Sequence, residues 1–195
     1  MNVFLGITGA SGAPYAARLL EALVAADCEV GICISKSGYK VLDTELYDGA
    51  GLSHEQIEAR LLDGIDGATV YSENDYTAPY ASGSAKVDGY IVCPCSMATV
   101  GTIAAGAMAN LVHRSASVAL KEGRKLVLVP RETPLSTIHL ENLLRLRHAG
   151  AVIVFAAPGF YHRPETIEDL VDFIVGRCLD QLGIAHALVE RWGQA

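Results

Sequence analysis

Short apolar runs recur along this chain: Asn2–Ile7, Glu29–Ile34, Val87–Cys93, Leu126–Val129 and Ala151–Ala156. Each is continuous rather than alternating, which is the pattern of a strand buried on both faces. Between them the apolar spacing turns helical, as in Tyr15, Leu19 and Leu23. Strands alternating with helices imply an α/β fold with a mainly parallel sheet and right-handed crossovers.

The remaining boundaries follow from caps and breakers. Pro14 suits the first turn of a helix that runs to about Ala26. A second helix passes through Val41 toward Glu45, and a short one is expected near Glu55–Leu62. Thr69–Tyr71 reads as a short strand, and Asn74–Ala85 as a loop over the site. The small residues of Ser96–Ala109 fit a closely packed helix, and another spans Leu111 to Glu122. Ser136 can cap a helix whose body runs from His139 to His148 and ends at Gly150. The last helix, Glu165 to Leu182, has Ile167, Val171, Ile174 and Cys178 as its inward stripe.

A length of 195 residues fits one domain, and no repeat or linker divides it. Hydrophobic residues make up 51%, a surplus that points to surface buried between subunits. The formal net charge of −7 argues against a nucleic-acid partner. Five cysteines, an odd number, read as reduced and buried thiols. Cys93-Pro94-Cys95 lacks the spacing and the second pair of a zinc site, so no metal is expected. The chain goes from Met1 straight into a strand and has no run of membrane-spanning length. No signal peptide is expected, and the expected location is the cytoplasm.

Ligands of open α/β sheets bind outside the carboxyl ends of the strands. Those ends carry the chemistry here. Gly6 to Gly12 (GITGASG) places a glycine turn before a helix, where free amides and the helix dipole favour phosphate. The spacing is neither GxGxxG nor a P-loop, and a plain strand–helix turn is the alternative. Ser35-Lys36-Ser37 and the stretch Ser96, Met97, Ala98, Thr99 follow two further strands; either serine is a ligand contact or only a helix cap. Together these turns outline a crevice of hydroxyls and amides suited to a nucleotide-like cofactor.

Arg131 and Glu132 follow the strand Leu126–Val129, and Tyr161, His162 and Arg163 follow Ala151–Ala157. Cations there point to an anionic ligand, most simply a phosphate. Arg114 and Lys121, seven apart on one helix, share a face, and Arg177 completes the cationic set. Surface charge is the bland alternative for the helical cations. Glu132 is either the partner of Arg131 or a general acid. Glu45 stands where a carboxyl with a raised pKa can move protons, or is a surface residue.

At this level of detail the chain resembles the UbiX-type flavin prenyltransferases over nearly its whole length. The resemblance rests on GITGASGAPY, ISKSG, TEL, CPCSMATV, ALKEGRKLVLVPRETPLSTIHLENLL, APGFYHRPETIEDLVDFIVGR and the terminal RWG. It implies a single Rossmann-like (flavodoxin-like) three-layer domain that binds FMN and assembles as a dodecamer. It also implies the reaction: a dimethylallyl group passes from dimethylallyl monophosphate to N5 and C6 of reduced FMN, without a metal. The product, prenylated FMN, serves UbiD-type decarboxylases.

Carried onto this sequence, the family's FMN contacts fall on Gly9, Ala10, Ser11, Ser35, Ser96, Met97, Ala98, Thr99 and Arg131. Its prenyl-phosphate contacts fall on Lys121, Glu132, Tyr161 and Arg177, with Arg114 near. Ser11 and Glu45 match positions that handle protons, and Tyr161 or Glu132 would donate to the departing phosphate. Trp192, in a tail of about residues 183–195 that packs over the site or a neighbouring subunit, matches an aromatic that closes the pocket. Tyr76 stands where some members carry Trp. The competing readings are an FMN-dependent decarboxylase of the cysteine-decarboxylase group and a non-catalytic FMN-binding partner subunit. The first lacks its PxMNxxMW-like motif here, and the second would not need Lys121, Glu132 and Arg177.

Overall fold

The structure, a computed structural model, describes residues 1–190 and 193. Six strands, β1 (Asn2–Ile7), β2 (Glu29–Ile34), β3 (Ala68–Tyr71), β4 (Gly89–Cys95), β5 (Leu126–Pro130) and β6 (Val152–Ile153), form one sheet in the order β3-β2-β1-β4-β5-β6. Every pairing is parallel, as the strand–helix alternation requires. Seven α-helices among the described residues cover it: α1 (Ala13–Ala25), α2 (Lys36–Leu46), α3 (His54–Leu61), α4 (Met97–Ala104), α5 (Leu111–Lys121), α6 (Thr137–His148) and α7 (Ile167–Leu182).

Two cores result, one on each face. Leu19, Leu23, Leu42, Ile57, Ile174 and Leu179 pack on one side, beneath α1, α2, α3 and α7. Phe4, Tyr90, Val100, Leu111, Leu126 and Leu146 pack on the other, beneath α4, α5 and α6. Strands β4 and β5 are buried at every residue, which is why their sequences show no alternation. Helix starts are marked by side-chain caps: Ser35, Ser53, Ser96, Asn110, Ser136 and Thr166 each accept from an amide in the first turn.

Several elements differ from the sequence expectation, β4 among them, which runs Gly89–Cys95 rather than Val87–Cys93. The edge strand β6 is two residues long rather than six, because it has a neighbour on one side only; Val154 and Ala156 still donate to Leu128 and Pro130. The helix expected over Ser96–Ala109 stops at Ala104, with Gly106 in the left-handed region (φ 74°). Helix α7 starts at Ile167, capped by Thr166, and Ile167 is 71% exposed instead of inward. Finally, Asn74–Ala85 does not stay at the strand carboxyl ends, where it leaves β3. It runs down the sheet face, where Tyr80 is buried against Phe4 and its hydroxyl donates to the Asn2 side chain at the amino end. Burying that ring outweighs leaving the segment as an open loop.

Candidate functional site

The strand order reverses between β1 and β4, so a crevice opens at their carboxyl ends. Thr8, buried at the end of β1, ties the two strands together. Its hydroxyl donates to the Pro94 carbonyl at 2.9 Å and accepts from the Ser96 amide at 2.8 Å. The β1–α1 turn also abuts α2. A Cβ on Gly9 would fall 2.4 Å from Cβ of Ser37, and one on Gly38 would fall 2.6 Å from the Ile7 carbonyl oxygen. Both positions therefore require glycine. Gly12 adopts φ 131°, which turns the chain into α1.

The first amides of α1 are not free, contrary to the sequence expectation. Oε2 of Glu45, in the last turn of α2, accepts from the amides of Gly12 and Ala13, both at 2.8 Å. An N-terminal turn attracts negative charge, and here a carboxylate supplies it. Oε1 of Glu45 has no hydrogen-bond partner among the described residues.

Ser35 and Ser96 are helix caps, so the bland reading holds for both: their hydroxyls accept from the amides of Gly38 and Thr99. Ser96 Oγ also lies 3.0 Å from Thr99 Oγ1. Beneath them Cys93 and Cys95 are buried, and burial pushes both thiols up, which suppresses thiolate chemistry. Met97 and Thr99 are buried, while Ser11, Ala98 and Arg131 are exposed at the rim. Arg131 reaches across to the first turn, Nε donating to the Ser11 carbonyl at 3.3 Å. It does not pair with Glu132, whose carboxylate instead accepts from the Thr133 amide at 3.1 Å. Hydrogen bonds thus join Thr8, Ser11, Glu45, Ser96 and Arg131 around the ends of β1 and β4, with Gly9 and Ser35 in the adjoining turns and Ala10, Met97, Ala98 and Thr99 in the same stretches. The floor of small residues and the polar rim suit a flat ligand with hydrogen-bonding edges, and Arg131 suits its negative charge.

Beside Arg131 and Glu132 opens a groove of about 500 Å³, lined by Leu135, Leu140 and Phe155. A second groove, about 330 Å³, runs along β6 and shares Phe155 and Ala157 with the first. Phe173 and Arg177 line it. Tyr161 is exposed near its mouth, edge-on to Phe173 at 5.8 Å. The ring of His162 stacks on Phe173 at 5.1 Å, a contact that no spacing in the sequence announced.

Arg114 and Lys121 do share a helix face, as expected: Arg114 Nε donates to the Ala81 carbonyl, and Lys121 pairs with Glu122 beside Gly83. That face does not meet the crevice of the same protomer. Helix α5 runs back against the strands, and Lys121 ends near Arg124, which bonds the Tyr90 hydroxyl and the Gly83 carbonyl at the amino end of the sheet. Trp192 lies outside the described residues.

An open parallel sheet with hydroxyls and amides at its switch point is the architecture of doubly wound proteins that bind nucleotide-like cofactors. The chain matches the Flavoprotein family over residues 1–179. It is 48% identical to the flavin prenyltransferase UbiX of Pseudomonas aeruginosa, over 99% of this chain and 94% of that one. It is 44% identical to the same-named protein of Methanocaldococcus jannaschii, over 99% of each. Among solved structures it resembles AnUbiX (PadA1) in complex with FMN and dimethylallyl pyrophosphate. The TM-score is 0.88 at 40% identity, covering 100% of this chain and 98% of that one. It also resembles a dodecameric FMN-dependent UbiX-like decarboxylase from Escherichia coli O157:H7. There the TM-score is 0.87 at 44% identity, covering 98% and 99%. A PPC decarboxylase, the cypemycin decarboxylase CypD and the cysteine decarboxylase TvaF, at 16–20% identity, share the fold. The chain belongs to the flavin prenyltransferase UbiX family.

Proposed function

We propose that this protein is a flavin prenyltransferase that joins the dimethylallyl group of dimethylallyl monophosphate to N5 and C6 of reduced FMN and releases phosphate. The observation that carries the reading is the convergence of three strand-end turns under Arg131, beside a groove that is apolar along Phe155 and cationic at Arg177. FMN, the acceptor, supplies the nucleophilic ring atoms when bound. Gly9, Ala10, Ser11, Ser35, Ser96, Met97, Ala98, Thr99 and Arg131 would hold it.

The protein's own work is electrostatic. As the allylic carbon–oxygen bond breaks, the electron pair leaves with phosphate, and cations stabilise that growing charge. Arg177 is assigned this role with Lys121 and Arg114. Tyr161 and Glu132 serve as hydrogen-bond or proton donors to the leaving group. Ser11 and Glu45 move protons at the acceptor, with the unoccupied Oε1 of Glu45 as the base. Trp192 is assigned to the wall that retains the prenyl group.

Lys121 lies at the other end of the sheet, about 20 Å away for strands of this length. It therefore reaches a crevice only by belonging to a neighbouring subunit. The exposed apolar residues Ile138, Leu140 and Leu144 of α6 supply surface for that neighbour. We assign a homo-oligomer, in the dodecameric form named for one structural relative. A UbiD-type decarboxylase is the proposed consumer of the product. Five free, buried thiols fit a reducing compartment such as the cytoplasm, and no helix among the described residues is long and apolar enough to cross a membrane.

The test is anaerobic incubation of the protein with reduced FMN and dimethylallyl monophosphate, followed by mass spectrometry of the extracted flavin. A gain of one prenyl unit is expected. Unmodified flavin with carbon dioxide released from a carboxylated substrate would establish decarboxylation instead.

A further inference from the structure

Thr8 does more than tie two strands together. Pairing of β1 with β4 ends at Gly6 and Val92, and the register of β4 against β5 shifts between Val92 and Cys95. The chain therefore leaves the ladder just before Ser96, where α4 must begin. Thr8 stands in that gap, 1% exposed and two residues beyond the last pair. Its amide donates to the Pro94 carbonyl at 3.2 Å, and its hydroxyl donates to the same oxygen at 2.9 Å.

A hydroxyl carries one proton and two lone pairs. A carbonyl only accepts, so the Thr8 proton goes to Pro94, and a lone pair takes the Ser96 amide at 2.8 Å. The branch at Cβ of Thr8 limits its rotamers, so the hydroxyl is aimed by the backbone of β1. Ser96 is thereby held in place at the cap of α4. Its own hydroxyl accepts from the Thr99 amide at 3.2 Å and lies 3.0 Å from Thr99 Oγ1. Two hydroxyls carry two protons, and their mutual contact uses one. The other has no acceptor among the described residues.

We propose that Thr8 is a positioning residue for FMN: its hydroxyl fixes the Ser96 amide, so that the Ser96–Thr99 pair is ordered in advance and keeps one hydroxyl proton for an acceptor atom of the flavin. A donor ordered before the ligand arrives loses little freedom on binding. Thr8 is buried and acts through Ser96, without touching the ligand itself. The inference rests on the assignment of Ser96 and Thr99 to FMN.

The experiment is fluorescence titration of FMN onto Thr8→Val, Thr8→Ser and Ile57→Ala proteins. Urea midpoints and KM for dimethylallyl monophosphate at saturating FMN are measured on the same preparations. Valine keeps the shape of threonine without the hydroxyl, and serine keeps the hydroxyl. Thr8→Val is expected to raise Kd for FMN about tenfold, the scale of one hydrogen bond, with KM for the prenyl phosphate little changed. Thr8→Ser should recover most of the affinity. Ile57, buried in α3, belongs to neither strand end and controls for lost stability. Ile57→Ala should lower the urea midpoint at least as far as Thr8→Val and leave FMN affinity as it was. Thr8→Cys, whose thiol is a weak donor and acceptor, repeats the test should the valine chain fail to fold, and its affinity should also fall. An unchanged Kd in folded Thr8→Val or Thr8→Cys, an affinity that serine does not recover, or an equal loss in Ile57→Ala overturns the proposal. A Ser96→Ala/Thr99→Val protein that binds FMN as tightly as the wild type removes the premise instead, and the assignment of that pair with it.

Discussion

Thr8, Ser96, Glu45 and Arg131 come from four separate stretches of sequence, yet their hydrogen bonds interlock within one protomer around the ends of β1 and β4. Among the described residues no hydrogen bond or ion pair joins Lys121, Arg114 and Arg177 to one another. Arg114 stands in the first turn of α5 and Lys121 at its last residue, Arg177 on the flank of α7 and Tyr161 on an exposed stretch before α7. The crevice can be finished by one chain because its walls are strand ends, which the sheet already aligns. Cations for a departing phosphate must approach from several directions, and one small sheet has only one such end. The difference places the burden of the second half on assembly.

Lys121→Ala gives the sharpest break. Activity should fall about a thousandfold, the cost of removing a preorganised charge from a developing anion, while FMN binding is unchanged. Mixed oligomers of Lys121→Ala and Arg131→Ala protomers should regain activity, since some sites then draw each residue from an intact copy. Failure to regain it would return both halves to one protomer. Next in size, Gly9→Ala should weaken FMN binding about tenfold or more, because the new methyl group must displace the first turn of α2. Fluorescence titration of FMN reads this, and KM for the prenyl phosphate should move far less.

Glu45→Gln tests a smaller contribution. The amide still accepts from α1, but the charge on the helix terminus is lost. A stability loss of about 0.3–1 kcal/mol is expected, seen as a lower urea midpoint. The smallest effect at neutral pH belongs to the core beneath the crevice. Burial pushes the thiols of Cys33 and Cys178 up to about 12, from an ordinary value of 9.0. Their folded pKa is raised, so the unfolded chain releases protons that the folded chain keeps. Stability should be flat below about pH 9 and fall between 9 and 12. Urea melts across that range check the slope, and native thiols should resist alkylation at pH 8.

The crevice was legible because apolar runs mark strands and the residues after them must line its mouth. Gly9, Ser35, Ser96 and Arg131 followed from that rule alone. The role of Glu45 at α1 did not, since nothing in sequence says that the end of one helix meets the start of another. Lys121 was correctly placed on a helix face. Which end of the sheet that face reaches follows from the return direction of α5. Tyr80 misled for a different reason. Its neighbours Ser82, Gly83 and Ser84 read as loop, and one buried ring drew the segment onto the sheet. The exposed Ile167 has the right residue type for a core stripe, but it occupies the first position of α7, before the helix meets the sheet.

The contact between Gly9 and the first turn of α2 has a kinetic consequence. With no room between them, the turns that follow β1 and β2 cannot open independently; they form a single jaw set before any ligand arrives. Flavin entry then needs no rearrangement of those loops, so substitutions around the jaw should alter residence time and leave the rate of capture nearly constant.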